Sequence, residues 1–191
     1  MANVFKETVR GIDLVPLNDE LFNSRELFLT SMIDHQSSCE LIKSLMYLDR
    51  QESSEITLYI NTPGGEVMSG LALFDQISMM RSPVRTVCIG TAASMGAIIF
   101  LAGQKRQMYP HAQLMIHDPS YDRNDISGLK PHEVRQELDK LNEVRKTAAE
   151  IISEKTGKPL KEVYKLTAND TFFTAQEAVA SGFADEIVKG T

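Results

Sequence analysis

Short apolar segments typical of β-strands alternate along this chain with segments of helical period, and that alternation constrains the fold more than any other feature. The strand-like segments are residues 26–29, 56–61, 84–89 and 113–116. Between the first two, Leu41, Leu45 and Leu48 recur at helical spacing, and a second amphipathic helix is predicted from Val67 to a stop before Pro83. The pattern predicts an α/β domain of repeated strand-helix units, with mostly parallel strands joined by right-handed crossovers.

The second half of the chain continues with helical patterns of two kinds. A near-continuous apolar run over residues 95–102 predicts a buried helix, and a capping box at 174–177 predicts a short last helix before an edge strand at 187–188. Between them, a long helix is predicted from Pro131 to a stop at Gly157. Its apolar stripe is thin, so it is either a solvated surface helix or an arm that packs on another subunit.

Length, composition and charge favour one folded domain. Of the 191 residues, 42% are hydrophobic and 24% are charged, which is ordinary for a globular chain. Because there is no internal repeat and no linker-like segment, a single domain is predicted over residues 1–191. A formal net charge of −6, with no cluster of Lys and Arg, indicates that nucleic acid is not a partner.

The sequence also argues against a disulfide, a metal centre and a membrane span. Cys39 and Cys88 stand far apart, in segments predicted as buried helix and buried strand, so each is expected to be a free apolar side chain. The four histidines lack the spacing of zinc ligands. The N-terminal segment has no apolar signal-peptide core, and no run approaches the roughly 18 apolar residues of a membrane span, so a cytoplasmic location is expected.

Ser94 is the first candidate for chemistry, because it lies between a buried strand and a buried helix with only small residues beside it. A serine at such a turn presents its hydroxyl at a helix N-terminus, as in a nucleophile elbow. The alternative is a plain helix N-cap, worth about 1 kcal/mol and without chemistry. Gly64 and Gly65 follow a strand end, where they either supply backbone N–H groups to an oxyanion hole or only make a tight turn.

Two further polar residues lie at the ends of elements. His117 closes the strand predicted at 113–116, so it can act as a general base if a serine lies within hydrogen-bond reach. Asp170 lies just ahead of the last capping box, where it either orients that base or belongs only to a turn. Each signal is weak alone, but together they supply a nucleophile, a base, an orienting carboxylate and oxyanion donors.

Four sequence motifs carry a resemblance to a known family. The segments LYINTPGGEV, TAASMGA, LMIHDP and TANDTFFTAQEAVASGFADEI resemble, in that order, the glycine turn, serine motif, histidine motif and aspartate segment of ClpP, the proteolytic subunit of the Clp proteases. The likeness covers nearly the whole chain from Arg25 onward. It implies a ClpP/crotonase-like α/β fold in which the long helix is a protruding handle.

The resemblance also implies a site and an assembly. Ser94, His117 and Asp170 match the family's catalytic triad, and Gly65 and Met95 match the residues whose N–H groups form its oxyanion hole. A serine endopeptidase is implied that hydrolyses unfolded polypeptides inside paired seven-membered rings, a tetradecamer fed by an AAA+ unfoldase. Residues 1–24 would form an axial segment and residues 120–157 the handle region. No metal or cofactor is expected, because ATP is used by the unfoldase.

The sequence departs from the family pattern in three places. Arg10 and Gly11 match an N-terminal motif, but residues 12–18 replace the residues that usually follow it. The stretch 120–130 is longer and more charged than usual and lacks the customary glycine-rich strand, and Asn169 stands where many members carry an arginine that contacts the opposite ring. The unfoldase, the substrates, the number of subunit types and the stability of ring pairing therefore stay open.

Two rival functions are weaker. One is an acyl-CoA hydratase or isomerase of the crotonase superfamily, which relies on glutamates and lacks the triad. The other is an idle ring subunit that assembles with an active paralogue. The presence together of Ser94, His117 and Asp170 argues against both.

Overall fold

The computed structural model describes residues 2–9, 11–121 and 127–189, and these form strands and helices in alternation. In chain order they are β1 (Asn3–Thr8), β2 (Gly11–Pro16), α1 (Leu17–Asn23), β3 (Glu26–Leu29), α2 (His35–Gln51), β4 (Ile56–Thr62), α3 (Val67–Met79), β5 (Val84–Ala93), α4 (Met95–Ala102), β6 (Lys105–Met108), β7 (Gln113–Ile116), α5 (Pro131–Thr156), α6 (Leu160–Thr167), β8 (Thr171–Thr174), α7 (Ala175–Ala180) and β9 (Glu186–Ile187). The order confirms the predicted α/β class with repeated strand-helix units.

A seven-stranded sheet forms the centre of the fold, and its strand β5 leads directly to residue 94. The path β3-β4-β5-β6-β9 is parallel throughout. β5 pairs with β6 from Arg85 to Cys88 and with β7 from Thr91 to Ala93, while β7 pairs antiparallel with β8. The carboxyl ends of the parallel strands β4, β5 and β7 therefore meet at one edge of the sheet, which is where ligands bind in α/β folds.

Helices α2, α3 and α4 bury the apolar stripes that the sequence pattern predicts. Leu45 of α2 and Leu73 of α3 are fully buried in one core with Leu58 and Ile60 of β4. All residues of α4 are buried, because a helix that is apolar on every side must be enclosed by other elements. This enclosure confirms the buried helix predicted over 95–102, and it fixes the start of α4 relative to the sheet.

The long helix α5 is buried only near its C-terminal end. Ala149 and Ile152 are its buried residues, whereas Val134 and Leu138 near its start are exposed. The helix ends at Gly157, whose φ of 72° is the left-handed conformation expected of a glycine at this position. The exposed first half agrees with the predicted protruding helix. Within the stretch 120–130 that precedes it, residues 122–126 lie outside the described residues.

β1 and β2 form a separate antiparallel hairpin, in which Phe5, Ile12 and Leu14 are exposed. Arg10, part of the predicted N-terminal motif, lies outside the described residues. Arg25, with a φ of 62°, stands where this region joins the core. Its guanidinium donates hydrogen bonds to the backbone carbonyls of Leu48, Glu52, Ser54 and Glu55 and to the hydroxyl of Ser82. The junction is therefore firmly anchored.

Several details differ from the sequence predictions. β1, β2, α1, β6, α6 and β8 are not predicted, because each is too short or too polar to show a clear period. β5 continues past the predicted strand 84–89 to Ala93, and the last strand is Glu186–Ile187, one residue earlier than predicted. Both cysteines are free, and Cys88 is buried as predicted. Cys39 is only half-buried, because α2 turns that face partly toward solvent.

Candidate active site

Ser94 occupies a sharp turn between β5 and α4. Its φ of 54° and ψ of −121° are unusual for a residue other than glycine, so the surrounding structure must impose this turn. The Ser94 N–H donates a hydrogen bond to the Met115 carbonyl of β7 at 2.9 Å, which holds the turn against the sheet. The Ser94 side chain makes no capping hydrogen bond to α4, so the plain N-cap alternative is wrong.

The glycine turn after β4 packs against the Ser94 turn without room for side chains. A Cβ atom on Gly64 would lie 2.8 Å from the Ser94 Cβ. A Cβ atom on Gly65, whose φ is 150°, would lie 2.1 Å from the Ile33 carbonyl oxygen. Ile33 donates to the Gly64 carbonyl and accepts from the Glu66 N–H, both at 2.8 Å. The N–H of Gly65 takes no part in this bridge.

The register of β7 places His117 beside Ser94. Ala93 pairs with Met115 in the parallel ladder, so the residues that follow β5 and β7 emerge at the same edge of the sheet. His117 Nε2 lies 2.8 Å from Ser94 Oγ, which is a hydrogen-bond distance. The His117 side chain is 27% exposed, so the imidazole is partly enclosed and still accessible from solvent.

Asp170 lies at the other ring nitrogen of His117. Its Oδ1 is 3.3 Å from His117 Nδ1, a little longer than the usual N–H···O hydrogen bond, so the two groups form an ion-pair contact when the imidazole is protonated. The antiparallel pairing of Ile116 with Thr171 explains this contact, because the residue after β7 and the residue before β8 are neighbours in that register. The Asp170 side chain is 62% exposed, so water reaches this contact.

A cleft of about 230 Å³ opens beside Ser94 and His117. Its walls are mostly apolar and come from α3, α4 and α5, with Leu71, Ile98 and Ile152 among the lining residues. The two predicted oxyanion residues, Gly65 and Met95, line the same cleft. The helical period of the sequence predicts that Leu71 and Ile152 are covered, but not that they face one cleft, since this depends on how α3 and α5 pack.

The segment after His117 is held by contacts that sequence reasoning missed. The Asp118 N–H donates to the Thr167 carbonyl at 2.6 Å. The Asp118 Oδ2 lies 2.7 Å from Arg145 Nε of α5, and the Arg145 Cζ lies 4.8 Å from the centre of the Tyr164 ring of α6. No periodicity relates positions 118, 145 and 164, and only their charges and aromatic character could have indicated a contact.

Comparison with known proteins decides the family. The family model described as Clp protease matches residues 10–191. This chain belongs to the Clp protease family. A protein named ATP-dependent Clp protease proteolytic subunit from Streptococcus sanguinis (strain SK36) is 34% identical to this chain over 191 residues, which is 98% of this chain and 96% of the relative. A protein of the same name from Carsonella ruddii (strain PV) is 31% identical with the same coverage.

The family membership confirms the predicted resemblance and, through it, the class of enzyme, a serine peptidase. In the described residues, no group of three or more His, Cys, Asp and Glu side chains is placed to hold a metal ion. Burial raises the pKa of the Cys88 thiol to about 12, so this cysteine stays protonated near neutral pH. None of the described helices has both the length and the apolar character to span a membrane.

Proposed function

We propose that this chain is a serine endopeptidase subunit in which Ser94 is the nucleophile, His117 the general base and Asp170 the residue that orients the base. The 2.8 Å contact between His117 Nε2 and Ser94 Oγ carries the proposal. A serine with this contact, at a strained turn beside an open apolar cleft, has the arrangement that acyl transfer requires. Relatives named as proteolytic subunits support the same reaction.

In the proposed reaction, His117 Nε2 takes the Ser94 proton while Oγ attacks the carbonyl carbon of the peptide bond. The Asp170 carboxylate, 3.3 Å from Nδ1, attracts Nδ1–H, which selects the tautomer with a lone pair on Nε2, and its charge stabilises the imidazolium. The imidazolium then gives its proton to the leaving amine. A water molecule, deprotonated by the same imidazole, hydrolyses the acyl enzyme and restores Ser94.

The N–H groups of Gly65 and Met95 stabilise the oxyanion in this proposal. Met95 is the first residue of α4, so its N–H has no acceptor within the helix. The Gly65 N–H is not used in the bridge between Ile33 and the glycine turn. Donors of this kind are worth about 10²–10³ in turnover when they are placed before the reaction begins.

The proposal extends to an assembly of two seven-membered rings built from this single-domain chain. The relatives are named ATP-dependent, which supports an AAA+ unfoldase that hydrolyses ATP and delivers unfolded polypeptide. Residues 1–24 contact that partner as an axial segment, and residues 120–157 interlock the rings. The exposed apolar side chains of Phe5 in the hairpin and Leu138 in α5 support protein contacts at both surfaces. The subunit needs no cofactor or metal and acts in the cytoplasm.

Replacing Ser94 with Ala tests the proposed nucleophile. Ser94→Ala should lower the hydrolysis of short peptides by at least about 10³-fold, because it removes the hydroxyl that lies 2.8 Å from the proposed general base. A fluorophosphonate should label the native chain at Ser94 and leave the variant unlabelled, while sedimentation velocity shows an unchanged particle. Ser120→Ala is the matched control, because Ser120 lines the same cleft, whereas the hydroxyl that lies 2.8 Å from His117 Nε2 is that of Ser94.

Two results would reject this proposal. Hydrolysis by Ser94→Ala at the native rate would exclude Ser94 as the nucleophile. A native chain that takes up no fluorophosphonate label would instead fit an idle ring subunit or an acyl-CoA enzyme.

A further inference from the structure

The histidine side of the site is tied to α5 by a charged contact that the proposed reaction does not use. We propose that Arg145 is a positioning residue for His117. It holds the Asp118 carboxylate against α5 and α6, so that this carboxylate does not compete with Asp170 for the imidazole. The same contact fixes the position of the segment that follows β7. The inference rests on the proposed role of His117 as the general base.

Two carboxylates are close to His117 in the fold, and they have different partners. Asp170 Oδ1 lies 3.3 Å from the imidazole Nδ1. Asp118 follows His117 directly, yet its Oδ2 lies 2.7 Å from Arg145 Nε. The Nε–H bond of Arg145 does not point at this oxygen with hydrogen-bond geometry, so the contact between the two side chains is an ion pair. The other oxygen of Asp118 is buried and has no hydrogen-bond partner in the described part of the chain, so Arg145 supplies the compensating charge.

Arg145 is itself held between two helices. It belongs to α5, and its guanidinium lies over the ring of Tyr164 in α6, 4.8 Å from Cζ to the ring centre. The side chains of Arg145 and Asp118 are 37% and 28% exposed, so the pair is partly shielded from solvent. A planar guanidinium can stack on the ring and face a carboxylate at once, which a lysine ammonium cannot do.

The backbone after His117 is fixed at two more points. The Asp118 N–H donates to the carbonyl of Thr167, the last residue of α6, at 2.6 Å. The Tyr121 hydroxyl donates to the Glu137 carbonyl of α5 at 3.0 Å. Residues 118–121 therefore run between the sheet edge and the helices α5 and α6. Any displacement of α5 relative to the sheet is passed to His117 through Asp118.

The strands that pair with β7 bring no charged side chain to His117, which makes the role of the pair measurable. β5 contributes residues 91–93 and β8 contributes residues 171–174 to the ladders beside β7, and neither set has a titratable side chain. α4 has none, and Glu177 of α7 bonds to Thr174. Asp170 is kept in every variant of the test. Asp118 and Arg145 are then the charges whose removal should act on the imidazole with opposite signs.

The test measures kcat and kcat/KM for a short peptide against pH. Arg145→Gln leaves the negative charge of Asp118 uncompensated, which favours the imidazolium form of His117. The acidic limb, the pH range in which kcat/KM falls because His117 becomes protonated, should therefore move to higher pH by on the order of half a unit. Asp118→Asn leaves the Arg145 charge and should move the limb to lower pH by a similar amount. The double variant should return the limb to its native position. All three should lower kcat on the plateau by about tenfold, because the histidine segment is released.

Tyr164→Phe is the matched control, because it keeps the ring under Arg145 and should leave both quantities unchanged. Arg145→Lys should keep the native limb but lose part of kcat. The inference is overturned if Arg145→Gln and Asp118→Asn both keep the native kcat and limb, or if their limbs move in the same direction. If Arg145→Gln does not form the native particle in sedimentation velocity, Asp118→Asn alone decides the test. A shift of its acidic limb to higher pH, or no shift, would then overturn the inference. Fluorophosphonate labelling of native Ser94 shows separately whether the proposed function holds.

Discussion

On the serine side of the site, the chain is held by close backbone packing, whereas on the histidine side it is held by half-exposed polar contacts. The glycine turn leaves no space for a Cβ atom at Gly64 or Gly65, and Ser94 is fixed between a buried strand end and a fully buried helix. In contrast, His117 contacts Asp170, which is mostly exposed, and is followed in the sequence by Asp118, which forms a partly exposed ion pair with Arg145.

The difference teaches that the two sides should respond to different changes. Packed backbone atoms have no alternative arrangement of similar energy, so the serine side should fail when atoms are added. Exposed charges are screened by salt and depend on protonation, so the histidine side should respond to changes of charge at constant shape. Three predictions test this contrast, from the largest expected effect to the smallest.

The largest effect is expected when the charge of Asp170 is removed at constant shape. Asp170→Asn should lower kcat for a short peptide by on the order of 10⁴, because an amide favours the wrong His117 tautomer and does not stabilise the imidazolium. Asp118→Asn is the control, with the smaller loss expected above. If Asp118→Asn proves more damaging than Asp170→Asn, Asp118 is the third member of the triad.

The second prediction adds one methyl group on the serine side. Gly65→Ala should lower kcat by about 10²–10³, because the new Cβ would collide with the Ile33 carbonyl and displace the N–H proposed to stabilise the oxyanion. Gly11→Ala is the matched control, since Gly11 also has a positive φ, 126°, but nothing within 4 Å of the new Cβ. Native activity in Gly65→Ala would show that the serine side can adjust, and the contrast would fail.

The smallest effect is expected in thiol reactivity, and it is measured on the native protein without any substitution. Cys88 lies in β5, the strand that leads to Ser94, and burial raises the pKa of its thiol to about 12, so it should react with a maleimide about 10²-fold more slowly than half-buried Cys39. Raising the pH from about 7 to 9 should leave the Cys88 thiol protonated. Mass spectrometry of the two cysteine peptides would measure this. Comparable labelling rates would mean that β5 opens locally.

The serine side could be predicted largely from the sequence. The apolar run that forms α4 and the small residues around Ser94 are local signals, and local signals determine a buried helix and a tight turn. The glycine turn after β4 is local as well. The turn and the buried helix could therefore be predicted with little knowledge of the tertiary structure, whereas the nucleophile was predicted from the joint signals and the family motifs.

On the histidine side, the sequence pattern places His117 at a strand end, but its contacts with Ser94 and Asp170 could be predicted only through the family resemblance. The distance between Ser94 and His117 depends on β7 pairing with the second half of β5, and the predicted strand ended too early to show this pairing. The position of Asp170 depends on the antiparallel strand β8, which was not predicted. Arg145 had no local signal, because its partners lie in two other elements.

The positive φ of Ser94 has a consequence for how such a chain can evolve. Glycine adopts this backbone conformation freely, whereas a residue with a side chain pays about 1–3 kcal/mol for it, so the fold alone would favour glycine at this position. Only a use for the hydroxyl opposes that preference. In a lineage that had abandoned peptide cleavage, replacement of Ser94 by glycine would be an early step, and it would remain in the genome as a sign of the lost activity.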